Sequence, residues 1–184
     1  INSSGLRVLT NKSPMTDFLA NPNWRAFLEQ LGGRIEADRV ADFGHPDNER
    51  LAAANRDVLA DLSHLALIRA TGPDAESFLQ GQLSNDIRQV DAGHAQLSAY
   101  CNPKGRMFAV FQIHRQAEQY YLQLPAVLAE ATLKRLRLFI LRAKVTLEPA
   151  HAELARIGLA GPNAESLVAS LCDGAPGTPY AVRQ

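Results

Sequence analysis

The chain of 184 residues is 46% hydrophobic and 21% charged, a balance typical of a globular protein with one or two apolar cores. Lys plus Arg and Asp plus Glu number 19 each, and this zero net charge argues against a dedicated nucleic-acid binder, which usually carries a basic excess. Two distant cysteines, Cys101 and Cys172, provide neither a disulfide framework nor a zinc or iron–sulfur ligand set, and they indicate a reducing, cytoplasmic setting.

The chain begins with a polar segment followed by an amphipathic pattern. Residues 1–14 lack the apolar run of a signal peptide, and Met15 is suited to be the natural start, so we interpret the first 14 residues as a leader or cloning remnant. Apolar residues at helical spacing predict a helix over residues 18–31, stopped by the pair of glycines that follows. The polar stretch at residues 42–50 predicts a loop. Nowhere does an apolar run approach the roughly 18 to 20 residues of a membrane span.

The rest of the chain alternates short strands with few helices. A helix is expected after Gly72-Pro73, because a proline in the first helical turn leaves no N–H unsatisfied, and a second helix is expected over residues 127–141. Asn102-Pro103-Lys104-Gly105 is typical of a hairpin turn. Strands are predicted at residues 58–62, 65–71, 94–101, 106–114, 119–124, 143–147 and 153–160. Hairpins among these strands favour an α+β fold over a doubly wound parallel sheet.

A short internal repeat predicts a second structural unit. Residues 72–79, Gly-Pro-Asp-Ala-Glu-Ser-Phe-Leu, recur at residues 161–168 as Gly-Pro-Asn-Ala-Glu-Ser-Leu-Val, each time after an apolar strand. Two strand-to-helix turns can acquire the same capping residues independently, but agreement at Gly, Pro, Ala, Glu and Ser favours duplication of a β-α unit. We therefore predict a first domain over residues 15–150 and the start of a second, ferredoxin-like half over residues 151–184. Because the second unit ends after its helix, we expect the chain to be incomplete at its C-terminus.

Side chains that could perform chemistry are sparse. The turn at residues 158–163 precedes a helix but lacks the spacing of a phosphate-binding loop, and its proline removes a donor. None of the five histidines has a second ligand at helical spacing, so we predict no metal site. No nucleophile elbow is present, and Cys101 is expected to be a half-buried structural thiol. We predict no catalytic residue in this chain.

The helix predicted at residues 127–141 carries a cluster of cations. Lys134, Arg135 and Arg137 lie on it, and Arg142 follows just beyond its end on the same side. Such a basic face could hold a polyanion, either RNA phosphate or a polyglutamyl tail, but cations near a helix C-terminus are more often a solvated surface. We expect the solvated surface, with no direct binding of nucleic acid.

Three motifs, in order, resemble one family. Asp61-Leu-Ser-His64-Leu resembles the D-x-S-H-M segment of glycine-cleavage T-proteins, which are aminomethyltransferases. Residues 72–86 end in Gln-Gly-Gln-Leu-Ser-Asn-Asp and are similar to the G-x-D-A-x-x-(F/Y)-(L/M)-Q-G-Q-x-(S/T)-x-D run of YgfZ-type folate-binding proteins. Residues 100–108, Tyr-Cys-Asn-Pro-Lys-Gly-Arg-Met-Phe, resemble the C-(D/N)-x-K-G-(K/R)-(M/I) hairpin of the same family. The similarity extends over residues 57–171.

The resemblance implies a T-protein-like fold that holds tetrahydrofolate in the centre of a three-domain ring. T-proteins carry a catalytic aspartate just after the Gly–hydrophobic pair of this hairpin, where the present chain has Phe108-Ala109-Val110. Because an alkyl side chain cannot transfer a proton, the resemblance implies a folate pocket without aminomethyl transfer. The YgfZ-type proteins support assembly or repair of iron–sulfur enzymes, including one that thiolates tRNA. Their K-G-C-Y-x-G-Q-E segment would lie beyond Gln184.

The same resemblance implies a set of folate-contacting residues. Lys104 and Arg106 would attract the glutamate carboxylates, and Leu65 would pack against the pterin ring. Asn102 and Lys104 are equally explained by turn chemistry, and Asp86 is expected to be mainly a turn-forming residue. The complete set is Leu65, Asp86, Tyr100, Asn102, Lys104 and Arg106.

The expected function is that of a non-enzymatic, tetrahydrofolate-binding accessory protein for iron–sulfur enzymes and tRNA modification. Its expected partners are folate and the iron–sulfur enzymes or their assembly machinery, with no membrane. One alternative is a folate-dependent aminomethyltransferase that uses a carboxylate from elsewhere. Another is a module that contacts protein or RNA through the basic helix.

Overall fold

A computed structural model describes residues 21–36, 39–172 and 174–183 of the chain. The helices are α1 (Pro22–Gln30), α2 (Pro46–Asn55), α3 (Ala75–Gln82), α4 (Ala126–Arg137) and α5 (Ala164–Leu171). The strands are β1 (Arg34–Glu36), β2 (Arg39–Asp42), β3 (Val58–Asp61), β4 (Leu65–Thr71), β5 (Gln96–Cys101), β6 (Met107–Gln116), β7 (Gln119–Pro125), β8 (Thr146–Pro149) and β9 (Ile157–Ala160). None of these helices has the length and hydropathy needed to cross a membrane.

The strands of these ranges form three antiparallel sheets. The largest has five strands in the order β5-β6-β7-β4-β8, and the other two are the pairs β1-β2 and β3-β9. Helices α3 and α4 pack their apolar sides on one face of the large sheet. The α+β class predicted from the sequence is therefore confirmed.

Strand β4 is buried on both faces, which explains its continuous apolar sequence. Ile68 belongs to the main core, together with Phe78 of α3 and Leu133 of α4. On the opposite face Leu67 packs with Tyr121 and Ala150. A strand covered on both sides has no polar face, so the usual alternation of polar and apolar residues is absent.

Helix α2 occupies most of a segment predicted to be a loop. That prediction is wrong from Pro46 onward, where a proline at the first helical position is well tolerated. The Glu49 carboxylate accepts hydrogen bonds from the N–H groups of Phe43, at 2.8 Å, and His45, at 3.1 Å, and these bonds fix the start of the helix. No side chain of α2 is buried, so the sequence lacks the apolar periodicity that would have identified this helix.

Two other helices have different limits from those predicted. Helix α1 begins at Pro22, after Asn21 accepts the N–H groups of Asn23 and Trp24, both at 3.1 Å, and residues 18–20 lie outside the described ranges. Helix α4 ends at Arg137, because the next three N–H groups bond to carbonyls three residues back and tighten the chain. Arg142, which was expected just beyond the helix, lies after its end.

The internal repeat has the same backbone geometry in both copies. Gly72 follows β4 at φ +110°, and Gly161 follows β9 at φ +135°. A Cβ on Gly72 would lie 2.2 Å from the Lys144 carbonyl oxygen, and one on Gly161 would lie 2.5 Å from the Asp57 Cα. In each copy the glycine has no Cβ, so a neighbouring segment can approach it closely. Beside Gly72 this segment leads into β8, and beside Gly161 it leads into β3.

A carboxylate joins each repeat turn to that neighbouring segment. The Lys144 N–H donates to Asp74 Oδ2 at 2.6 Å, and the Asn163 N–H donates to Asp57 Oδ1 at 2.7 Å. Hydrogen bonds from the Asn163 side chain and backbone hold the pKa of the Asp57 carboxyl below its usual range. The common geometry favours duplication of the β-α unit. Strand β9 lies in the predicted second half, but it pairs with β3, which lies early in the predicted first domain. The proposed domain limits therefore remain a prediction.

Candidate functional site

The topology brings five of the six predicted folate-contacting residues to one end of the five-stranded sheet. Strand β5 ends, β6 begins, β7 ends and β4 begins at this end, since the neighbouring strands are antiparallel. Leu65 is the first residue of β4 and pairs with Pro125. The other four lie in or beside the β5–β6 hairpin: Tyr100, Asn102, Lys104 and Arg106.

Asn102 organises the tip of this hairpin. Its side-chain oxygen accepts the N–H groups of Lys104, at 2.9 Å, and Arg106, at 3.0 Å, and Gly105 takes a positive φ of +74°. The turn chemistry considered for Asn102 is thus present. Lys104 and Arg106 are exposed, so two cations stand at the hairpin tip, and their contact with a ligand remains a prediction.

A β-bulge at the base of the hairpin directs Phe108 toward α4. Tyr100 pairs with Ala109 and Cys101 pairs with Met107, which leaves Phe108 as the extra residue. The Tyr100 ring meets the Phe108 ring edge-on, with centroids 6.1 Å apart, and is itself buried in the core. Tyr100 therefore packs against Phe108 from within the core, and any direct contact between Tyr100 and folate remains a prediction.

Asp86 lies away from the other five residues. It precedes a short 3₁₀ turn at Ile87–Gln89, and its backbone oxygen accepts a hydrogen bond from Gln96, at the opposite end of β5. Its carboxylate accepts the Arg88 N–H at 3.2 Å and the Arg88 Nε at 2.8 Å. The hydrogen bond from the Arg88 side chain is the main reason that the pKa of the Asp86 carboxyl is lowered. This is the turn-forming role expected from the sequence.

The stretch Phe108-Ala109-Val110, to which the resemblance assigned the catalytic carboxylate of T-proteins, is apolar and includes a core residue. Ala109 is only 3% exposed and belongs to the main core. Phe108 and Val110 on either side of it are partly exposed and carry no ionisable group. This part of the site therefore offers apolar surface and no acid or base.

The cations of α4 do not form one solvated face. The Cζ atom of Arg135 lies 5.3 Å above the Phe108 ring centroid, and the Arg137 Nε donates to the Leu147 carbonyl at 3.1 Å. The expectation of a solvated surface is therefore wrong for Arg135, which is half-buried, while Lys134, Arg137 and Arg142 are exposed. Sequence periodicity could not have identified either contact, because both partners come from distant strands.

We expect Arg137 to stabilise the fold and Lys134 to be dispensable. Arg137→Gln removes a charge-assisted donor to the Leu147 carbonyl of edge strand β8, so the free energy of unfolding should fall by about 1 kcal/mol. Lys134→Gln, one turn away and exposed, should change it by no more than about 0.5 kcal/mol. Urea unfolding followed by circular dichroism measures both values. Equal values for the two variants would show that the Arg137 contact is not retained in solution.

A second polar cluster lies at the opposite end of the sheet, around a cavity of about 400 Å³. The Tyr120 hydroxyl donates to Glu76 Oε2 at 2.8 Å, and Arg115 lies over the Tyr120 ring at 5.3 Å. Burial, followed by the hydrogen bond to Glu76, raises the pKa of Tyr120 to about 12, so the phenol remains a donor at neutral pH. No sequence pattern indicated this cluster, because its members come from three separate elements. In the described ranges, no group of three or more His, Cys, Asp or Glu side chains is placed to hold a metal ion.

Known proteins resemble this chain in sequence and in fold. The sequence model of one protein family, the GCVT N-terminal domain, matches residues 25–180 of this chain. The tRNA-modifying protein YgfZ of Colwellia psychrerythraea is 33% identical over 118 residues, which are 64% of this chain and 36% of that protein. The aminomethyltransferase of Listeria welshimeri is 33% identical over 164 residues, which are 86% of this chain and 45% of that protein.

A solved structure agrees with the fold. The glycine cleavage system aminomethyltransferase T from Bartonella henselae matches with a TM-score of 0.66 and 22% identity, over 80% of this chain and 42% of that one. This match confirms the aminomethyltransferase-like fold expected from the sequence. The chain spans less than half the length of each of these three relatives.

Proposed function

The chain belongs to the family of the GCVT N-terminal domain, and on that premise we propose that it is a tetrahydrofolate-binding accessory protein of the YgfZ type. In this proposal it supports the assembly or repair of iron–sulfur enzymes and tRNA modification, in the cytoplasm, and does not transfer an aminomethyl group. The observation that supports the proposal is that Phe108-Ala109-Val110, the stretch to which the resemblance assigns the catalytic aspartate of T-proteins, carries no carboxylate and has Ala109 buried in the core. A site without a carboxylate there can bind folate but lacks the proton-transferring group.

The geometry of the β5–β6 hairpin favours retention of a folate site. Leu65 and the partly exposed Phe108 provide apolar surface for a flat ring, and Lys104 and Arg106 provide charge for carboxylates at the same end of the sheet. Small-molecule sites usually combine apolar surface with a few polar groups, and both are present at this end of the sheet.

We expect the isolated chain to bind tetrahydrofolate at least about tenfold more weakly than the full-length gene product. The T-protein resemblance places the ligand in the centre of a ring of domains, and affinity depends on burying most of the ligand surface. Calorimetric titration of both proteins with tetrahydrofolate measures the difference. Equal micromolar affinities would mean that the site is contained in this chain, and an absence of binding by the full-length protein would refute the folate proposal.

Aminomethyl transfer is the second candidate function. It is favoured by one observation: the Listeria welshimeri aminomethyltransferase aligns with 86% of this chain, against 64% for the Colwellia psychrerythraea YgfZ protein. An assay for methylenetetrahydrofolate formation from an aminomethyl donor, using the full-length protein, separates the two proposals. Turnover would support a carboxylate supplied from outside these residues, and folate binding without turnover would support the accessory protein.

A further inference from the structure

Two strands, β2 and β3, border a common groove. Among the described residues β2 pairs only with β1 and β3 pairs only with β9, so each has one edge without a neighbouring strand. A cavity of about 340 Å³ lies between β2 and β3, lined by residues 40–43 and 58–61 and by Glu49, Ala52 and Ala53 of α2. We call this cavity the edge groove.

The edge groove runs along the edges of the two strands and not over a sheet face. Side chains alternate between the two faces of a strand, so a cavity over one face is lined by every second residue. Here both strands contribute consecutive residues, and no described residue of β1 or β9 lines the cavity. The N–H and C=O groups that β2 and β3 direct away from their partner strands therefore face the groove. These groups form no backbone hydrogen bond to other elements in the part of the chain that the structure describes.

An extended peptide is the ligand that matches two facing strand edges. An unpaired edge accepts another strand, and a strand lying between two edges directs the N–H and C=O groups of successive residues to the two sides in turn. Since β2 and β3 have four residues each, about 13 Å of extended chain would cover both edges. A compact small molecule could bond to few of these backbone groups.

The charges of the edge groove favour a basic peptide. Its ionisable lining residues are Asp42, Glu49 and Asp61, with no Lys or Arg among the described lining residues. The Asp61 Oδ1 atom accepts the Trp24 Nε1–H at 2.9 Å and the Ser63 hydroxyl at 2.7 Å, whereas Oδ2 accepts no hydrogen bond from a described residue. A lysine or arginine side chain at Asp61 would supply both a donor and the opposite charge.

The other two carboxylates of the groove already have partners. Asp42 forms an ion pair with Arg34, and Glu49 accepts the N–H groups of Phe43 and His45. Asp61 is therefore the carboxylate of this groove that has an oxygen available for a cation of the ligand.

We propose that the edge groove binds a basic, extended peptide segment of a partner protein by β-augmentation, with main-chain hydrogen bonds to β2 and β3 and a lysine or arginine at Asp61. The groove is separate from the proposed folate site, since none of the six predicted folate-contacting residues lines it. The proposal also gives a role to α2, which has no buried side chain of its own: apolar side chains of the peptide would cover Ala52 and Ala53.

Fluorescence polarisation of labelled peptides with the full-length protein tests the proposal. The probe is acetyl-Lys-Val-Lys-Val-Lys-Val-amide, and its charge control has glutamate in place of each lysine. We expect micromolar binding of the basic peptide and at least about tenfold weaker binding of the acidic one. Methylating the valine nitrogens removes the donors on one side of the extended peptide, and methylating the lysine nitrogens removes those on the other. Each change should weaken binding about tenfold, because both strand edges are used.

Two pairs of variants locate the peptide on the protein. Ala53→Trp fills the groove and should weaken binding of the basic peptide about tenfold, whereas Ala54→Trp, on the same helix but outside the lining, should change it less than about twofold. Asp61→Asn keeps the oxygen that accepts from Trp24 and Ser63 but removes the charge, so it should weaken binding about fivefold. Asp47→Asn is its control, because that carboxylate is 90% exposed and does not line the groove.

Every other outcome overturns the proposal. No binding of the basic peptide, or binding that tolerates both methylated forms, refutes β-augmentation. Equal affinities for the basic and acidic peptides refute charge selection at Asp61, and unchanged binding by Ala53→Trp shows that the peptide binds elsewhere. Tighter binding of a peptide with the sequence of residues 13–20 would assign the groove to a segment of this chain. A dimer that dissociates in Ala53→Trp would assign it to a second copy.

Discussion

Replacing Gly72 by alanine should lower the free energy of unfolding by about 3 kcal/mol or more. Two effects add at this residue. Its φ of +110° is strained for any residue with a Cβ, and the new methyl group would meet the Lys144 carbonyl oxygen at 2.2 Å. Because that oxygen belongs to the backbone leading into β8, relief of the contact requires movement of a whole strand.

Gly81 provides the matched control for Gly72. It lies in α3 of the same repeat copy, its φ is not positive, and a Cβ added to it would meet no atom within 4 Å outside its own helix. Gly81→Ala should therefore stabilise the protein by about 0.5–1 kcal/mol through higher helix propensity. Thermal and urea unfolding of both variants measure the two effects. Similar stabilities for Gly72→Ala and the wild type would show that the tight turn after β4 is absent in solution.

Introducing the missing carboxylate as Ala109→Asp should destabilise the fold by about 3–5 kcal/mol at neutral pH and should not create aminomethyl transfer. Ala109 is 3% exposed, so the new carboxylate would lie among the apolar side chains of the main core. A catalytic acid also needs supporting contacts that hold it to within about half an ångström, and the apolar surroundings of Ala109 do not provide them.

Two further variants separate charge burial from other effects of Ala109→Asp. Ala109→Asn adds nearly the same volume without the charge, so it should be less destabilising at neutral pH. Val110→Asp places the same carboxylate one residue away on the open face of the sheet, where the side chain is 43% exposed, and should cost about 1 kcal/mol or less. Urea unfolding gives the stability of the three variants, and the assay for methylenetetrahydrofolate formation gives their activity. Clear turnover by Ala109→Asp alone would show that this site retains catalytic geometry.

The sequence determined the features that depend on local chemistry. The hairpin turn at Asn102 and the repeated Gly-Pro turn follow from backbone preferences that a few adjacent residues express. The helix expected after Gly72 is present, but it begins at Ala75 with Asp74 as its N-cap, so Pro73 precedes the helix and does not lie in its first turn. Strand β4 was identified because its apolar run reports burial directly. The same local motifs carried the family resemblance and hence the fold.

The tertiary structure decided which candidate site residues share one end of the sheet and which side chains are committed to other contacts. Helix α2 escaped prediction because none of its side chains is buried, so no apolar periodicity marks it. The pairing of Arg135 with Phe108 and the bond from Arg137 to β8 depend on the crossing of α4 over the sheet, and that crossing follows from packing of the whole core. Asp86 shares a family motif with its neighbours but lies at the opposite end of β5, because strand register sets its position. Local sequence specifies turns and buried faces, whereas contacts between distant elements exist only once the packed core has fixed their distance and direction.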